Sequence, residues 1–138
     1  MRERDPPMAG ELILIVEDNE KNRKLVRDVL QFTAYQTLET ETAEEGIRQA
    51  AASRPALILM DIQLPGMDGI TALGHLRADP ATKGIPVIAI TASAMTQDRQ
   101  KILAAGFDGY QTKPINVKEF LGAVRQALDR HQSAGGAS

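Results

Sequence analysis

No cysteine occurs in this 138-residue chain, which removes disulfides, thiolate chemistry and cysteine-ligated metal together. Histidine is nearly as scarce: His75 and His131 stand far apart in sequence, so each reads as a solvated helix residue and not as half of a zinc site. No segment approaches the ~20 consecutive apolar residues of a membrane span. Residues 1–10 are charged and carry prolines where a signal peptide would need an apolar stretch. Neither sign of charge dominates, since 16 basic residues face 18 acidic ones for a net charge of -2, and no run of like charge is long enough for a nucleic-acid arm or an acidic tail. The expectation is a soluble cytoplasmic protein without direct DNA binding and without a membrane anchor.

What is present is regular alternation. The length fits one domain with a proper core. Residues 1–10 read as a disordered N-terminal tail and 132–138 as a flexible C-terminal tail of small residues, leaving 11–131 for the folded unit. A strand over 11–16 precedes a helix from about 19 to 32, with Leu25, Val26, Val29 and Leu30 on one face. A weaker strand spans about 36–39. Thr42 with Glu45 then has the form of a capping box, and Ala43, Gly46, Ile47, Ala50 and Ala51 repeat behind it at helical spacing. After a third strand, residues 64–69 concentrate loop formers ahead of a helix to about Ala78, and residues 83–86 introduce a fourth strand. The next helix, near 96–105, has the poorest apolar stripe and should be the most loosely held. Asn116 with Glu119 caps a final helix whose Val117, Phe120, Leu121, Val124 and Leu128 form a strong stripe. Five such units imply a doubly wound α/β sandwich with helices on both faces.

Four short apolar runs each stop at a polar residue. Ile13, Leu14, Ile15 and Val16 run into Glu17 and Asp18, and Leu57, Ile58, Leu59 and Met60 into Asp61. Val87, Ile88, Ala89 and Ile90 run into Thr91, and Tyr110, Gln111 and Thr112 into Lys113. Runs this short, with helices between, are parallel strands buried on both faces. Taken singly, each polar residue has a plainer role: Asp18 can cap a helix, Asp61 can begin a turn, and Lys113 can end a strand in water. Their coincidence argues otherwise, because ligands of open α/β sheets bind at the carboxyl ends of the strands. Three carboxylates brought together repel, and a hard divalent cation relieves that conflict. Add a hydroxyl and an ammonium, and the edge can accept a phosphoryl group on Asp61 while metal and lysine neutralise the charge.

These motifs carry a family resemblance. LILIVEDN at 12–19, LMDIQLPGMDG at 59–69, ITA at 90–92 and GYQTKPI at 109–115 match, in order and spacing, the receiver domain of bacterial two-component response regulators, the CheY-like family. The resemblance covers about 11–130. It implies a flavodoxin-like five-stranded parallel sheet in the order 2-1-3-4-5 flanked by five helices, and a phosphoacceptor, not a turnover enzyme. By resemblance Asp61 accepts the phosphoryl group from a phosphohistidine and Lys113 contacts it. Glu17, Asp18, Asp61 and the main-chain carbonyl of Gln63 hold Mg²⁺, with Glu17 reaching the metal through water. Thr91 and Tyr110 form the switch pair. Gln63 and Ser93 flank the approach of water to the phosphoryl group, and the Lys113–Pro114 bond is expected to be cis.

The implied partners are a sensor histidine kinase or histidine phosphotransferase and a downstream protein target, docked through the surface of helix four, strand five and helix five. A phosphorylation-dependent homodimer is compatible with that surface. The initial Met and the short tail suggest a standalone receiver, the alternative being a receiver taken from a hybrid histidine kinase. A Mg²⁺-dependent aspartyl-phosphate phosphatase is disfavoured because a second Asp two residues after the nucleophile is replaced by Gln63. A nucleotide-binding module lacks its Gly-rich loop, since the first junction reads Glu17, Asp18, Asn19, Glu20.

Overall fold

The computed structural model describes residues 10–92 and 95–137, with 131–137 described by backbone alone. Strand and helix alternate: β1 Leu12–Val16, α1 Glu20–Phe32, β2 Gln36–Thr40, α2 Ala43–Ser53, β3 Leu57–Asp61, α3 Gly69–Ala78, β4 Val87–Thr91, α4 Thr96–Ala105, β5 Gly109–Thr112 and α5 Val117–Ala137. All strand pairs are parallel and the sheet order is β2-β1-β3-β4-β5, the doubly wound, flavodoxin-like arrangement.

The period of two along each inner strand divides the core. Leu14, Val16, Ile58, Met60, Val87 and Ala89 face one side, where α2, α3 and α4 contribute Ala43, Ala50, Leu73, Leu76 and Ile102. Ile13, Ile15, Leu57, Leu59, Ile88 and Ile90 face the other, against Val26 and Leu30 of α1 and Phe120, Val124 and Leu128 of α5. Each large aliphatic side chain removed from water this way stabilises the fold by about 1.5–3 kcal/mol. β2 is one of the two edge strands, with β5 the other, and Thr40 is its one buried residue, which accounts for its weak apolar pattern.

Helix starts follow the sequence signals. The side chains of Asn19, Thr42, Asp68 and Asn116 each accept a backbone N–H three residues on, at 2.8–3.1 Å. Asn19, not Asp18, caps α1, so the capping role open to Asp18 is taken by its neighbour. α4 begins at Met95 without a side-chain cap and buries only Ile102, in keeping with its thin stripe. Three expectations need correction. Leu25 and Val117, placed on core faces by spacing, are exposed; Leu25 sits at one edge of its stripe, and Val117 is the first residue of α5, about one turn ahead of Phe120, where burial begins. The tail boundary at Gln132 falls inside α5, which continues to Ala137.

One glycine fixes how β3 meets α3. A Cβ on Gly69 would lie 2.6 Å from the Asp61 carbonyl oxygen and 2.9 Å from the Ile62 Cα, both backbone atoms that cannot step aside. The Gly69 N–H donates to the Ile62 carbonyl at 3.1 Å, closing the loop that starts at Asp61. Within that loop Gly66 takes φ +77°, a left-handed conformation suited to glycine. Gly69→Ala should therefore lower unfolding free energy by about 1–3 kcal/mol through overpacking. Urea denaturation checks this, and an unchanged midpoint would show that α3 can shift freely.

Candidate functional site

Parallel pairing brings the carboxyl ends of β1, β3, β4 and β5 to one edge. Val16 registers with Met60, Asp61 with Ile90 and Thr91 with Thr112, so the residues that close each strand lie side by side. Glu17 and Asp61 are buried there, as is Thr91, while Asp18 is exposed. Each of Glu17, Asp18 and Asp61 offers a carboxylate oxygen within 4.8 Å of the others.

Lys113 closes the group. Its Nζ lies 3.1 Å from Glu17 Oε1 and 3.1 Å from Asp61 Oδ2, bridging the two buried acids. The Lys113 N–H donates to the Thr91 carbonyl at 2.8 Å, which fixes where the lysine leaves β5. The Lys113–Pro114 peptide is cis, the isomer implied by the resemblance. Burial alone would depress the Lys113 pKa, but hydrogen bonds to Asp61 and Glu17 outweigh it and the pKa is raised.

The other oxygen of each buried carboxylate accepts from backbone. Asn19 N–H donates to Glu17 Oε2 at 3.0 Å, and Gln63 N–H donates to Asp61 Oδ1 at 2.9 Å. Even so, burial and then the hydrogen bond shared with Asp61 push the Glu17 carboxyl up to about 7. A single ammonium does not balance the clustered carboxylates. The donor set is all oxygen, partly solvent-facing and over-acidic, which fits a hard divalent cation such as Mg²⁺.

Tyr110 lies half-buried on β5, opposite Ala89, with the Arg99 guanidinium of α4 5.1 Å from its ring centroid. Gln63 is exposed beside Asp61, and Ser93 lies outside the described residues. The structure brings Glu17, Asp18, Asp61 and Lys113 into one group. Sequence reasoning missed Asn19 as a donor to Glu17, and it missed Arg23, whose Nη1 donates to the Glu17 carbonyl at 3.0 Å. A signal for Arg23 existed: a cation in the first turn of a helix opposes the macrodipole and asks for a reason.

The comparisons with known proteins agree with this geometry. The model of the response regulator receiver domain matches residues 13–125. Over 116 residues the chain is 42% identical to the polar-differentiation response regulator DivK of Brucella anthropi, covering 84% of this chain and 94% of that protein. DivK of Brucella ovis is 41% identical over the same length and the same shares. Among solved structures, the receiver domain of a sensor histidine kinase from Pseudomonas aeruginosa PAO1, with a magnesium ion coordinated in its active-site cleft, gives a TM-score of 0.81 at 33% identity, covering 88% of this chain and 99% of that one. A CheY-like receiver domain protein from Methanospirillum hungatei JF-1 gives 0.82 at 28% identity, covering 91% and 99%. The fold and its acidic edge define a signalling receiver, and the chain belongs to the response regulator receiver domain family. Within that family it is DivK-like, a protein of phosphorelay signalling. No helix among the described residues is long and apolar enough to cross a membrane.

The raised Glu17 pKa has a definite sign. A carboxyl moved from 4.5 to about 7 keeps its proton in the folded chain where the unfolded chain has released it, so the metal-free fold loses this stabilisation as pH rises through about 7. A cation entering the cluster must displace the same proton. Mg²⁺ affinity should accordingly rise between about pH 6 and pH 8 and level off above, as calorimetric titration would show. An affinity independent of pH over that range would contradict a protonated Glu17.

Proposed function

We propose that Asp61 accepts a phosphoryl group from the phosphohistidine of a kinase or phosphotransferase in a Mg²⁺-dependent reaction, and that the modified edge changes the docking surface of α4, β5 and α5. The observation that carries this reading is the Lys113 ammonium held at 3.1 Å from both Glu17 and Asp61, with Asp18 alongside at the carboxyl end of the sheet.

An Asp61 carboxylate oxygen attacks phosphorus in line. The O–P bond forms as the P–N bond to the donor imidazole breaks, and that electron pair leaves with the imidazole nitrogen. Glu17, Asp18, Asp61 and the Gln63 carbonyl are the groups that would hold Mg²⁺, which supplies charge neutralisation for the phosphoryl oxygens. Lys113 turns from bridging two carboxylates to pairing with the phosphoryl group. The Gln63 N–H, already aimed at Asp61, holds the acceptor in position. The Thr91 hydroxyl is drawn toward the phosphoryl group, and Tyr110 turns inward from its half-buried site. A ligand shifts such an equilibrium only by its differential contacts, so the phosphoryl group must favour the inward state through Thr91 and Lys113.

Incubation with acetyl phosphate and Mg²⁺ should modify one carboxylate, Asp61, detected by intact mass and peptide mapping. Asp61→Asn keeps the shape and removes the nucleophile; modification at the wild-type rate in that variant would sink the assignment.

Decay of the phosphoryl group is set by the approach of water past Gln63 and Ser93, both polar and too weakly basic to activate it strongly. Gln63→Phe and Ser93→Leu should each slow dephosphorylation without preventing phosphorylation. Unchanged decay in both variants at saturating Mg²⁺ would show that other groups set the lifetime.

A further inference from the structure

We propose that Arg23 is a positioning residue for the metal-binding edge: it fixes the peptide unit between Glu17 and Asp18 and thereby aims the Asp18 carboxylate. The inference rests on the proposed Mg²⁺ role of Glu17, Asp18 and Asp61.

Glu17 is held at every polar atom. Its N–H donates to the Thr40 carbonyl at 3.0 Å, Oε2 accepts from Asn19, and Oε1 pairs with Lys113. Its carbonyl oxygen accepts from Arg23 Nη1 at 3.0 Å. That carbonyl belongs to the same rigid planar unit as the Asp18 N–H and Cα. Asp18, exposed, depends on the orientation of this plane for the direction of its side chain.

The guanidinium is anchored at its other side. Arg23 Nε lies 3.3 Å from Glu39 Oε1, and Glu39 is gripped in turn by Arg27 Nη1 at 3.2 and 3.3 Å. Glu39 sits on β2 opposite Ile15 of β1, two residues before Glu17. The Arg23 side chain is only 15% exposed, so these contacts are sheltered from water. A clamp thus runs from β2 through Arg23 to the peptide that carries Asp18, and it offsets the penalty of a cation in the first turn of α1.

The sign of the mutational effect separates positioning from bulk charge. Removing a nearby cation should, by electrostatics alone, tighten binding of a divalent cation. Removing a positioning contact should weaken it, by about tenfold on the scale of residues that orient metal ligands.

The test is calorimetric Mg²⁺ titration of the full chain as wild type, Arg23→Ala, Arg23→Gln and Arg23→Lys, with metal-free amide exchange at Asn19 followed by NMR. Arg23→Ala should bind about tenfold more weakly. Lys and Gln can each still donate one hydrogen bond to the Glu17 carbonyl, so both should fall between Ala and wild type, and they serve if the Ala variant does not fold. Without metal, the Asn19 amide should exchange faster in Arg23→Ala. Equal or tighter Mg²⁺ binding in the variants, or unchanged exchange at Asn19, would overturn the role of Arg23. A wild type that binds no Mg²⁺ would overturn the site reading itself, and with it this proposal.

Discussion

Carboxylates gathered at one edge of a sheet repel, and the Lys113 ammonium, 3.1 Å from both Glu17 and Asp61, is the contact that opposes this among the described side chains. Its placement draws on most of the fold. The lysine must come off β5 just where β4 ends, and the bond from its N–H to the Thr91 carbonyl sets that. β3 must deliver Asp61 one strand further in, with α3 pressed close enough that only glycine fits at position 69. β1 must deliver Glu17 beside it, its amide tied to Thr40 on β2. A buried ion pair is weak evidence for stability, since desolvation opposes the attraction. Here the arrangement concentrates unfavourable charge at one place and leaves it under-compensated, the condition under which a cation or phosphoryl group gains most by binding.

Much of this was legible in the sequence because the inner strands are buried on both faces. Such strands read as continuous apolar runs, and each run ends where the sheet ends, so the residues at the stops are the residues of the edge. Glu17, Asp61 and Thr91 were found that way, without knowledge of which strands pair, whereas Lys113 follows the half-buried edge strand β5 and was found from the company it keeps. The edge strand β2 was fainter for the same reason in reverse, since it buries only Thr40. Spacing also overstated the core at Leu25 and Val117, because a helical period defines a stripe but neither how wide the packed face is nor where along the helix packing begins.

The second tier of the site was legible only as a cation in the first turn of α1, with nothing to say what it pairs with. Arg23 and Glu39 are ordinary charges on a helix and an edge strand until three-dimensional pairing joins them and places Arg23 against the Glu17 carbonyl. Hydrogen bonds to main-chain oxygens leave no side-chain complementarity in the sequence to read. Gly69 is similar: glycine before a helix reads as a loop former, whereas its reason for being there is the 2.6 Å that a Cβ would leave to Asp61 O.

The looseness of α4 bears on how a change at Asp61 could travel. α4 is anchored by one buried residue, Ile102, and its start has no side-chain cap, so moving it disturbs little apolar surface. Its Arg99 lies over the Tyr110 ring, a contact worth about 0.5–1 kcal/mol at an exposed site. α5, by contrast, buries Phe120, Val124 and Leu128 and is costly to displace. Under the proposed switch, an inward turn of Tyr110 has to give up the Arg99 contact and little else on the α4 side. The coupling from phosphoryl group to surface therefore needs to supply only a small free energy. Under that reading α4, with its single buried residue, is the element that yields, and α5 is the one that stays.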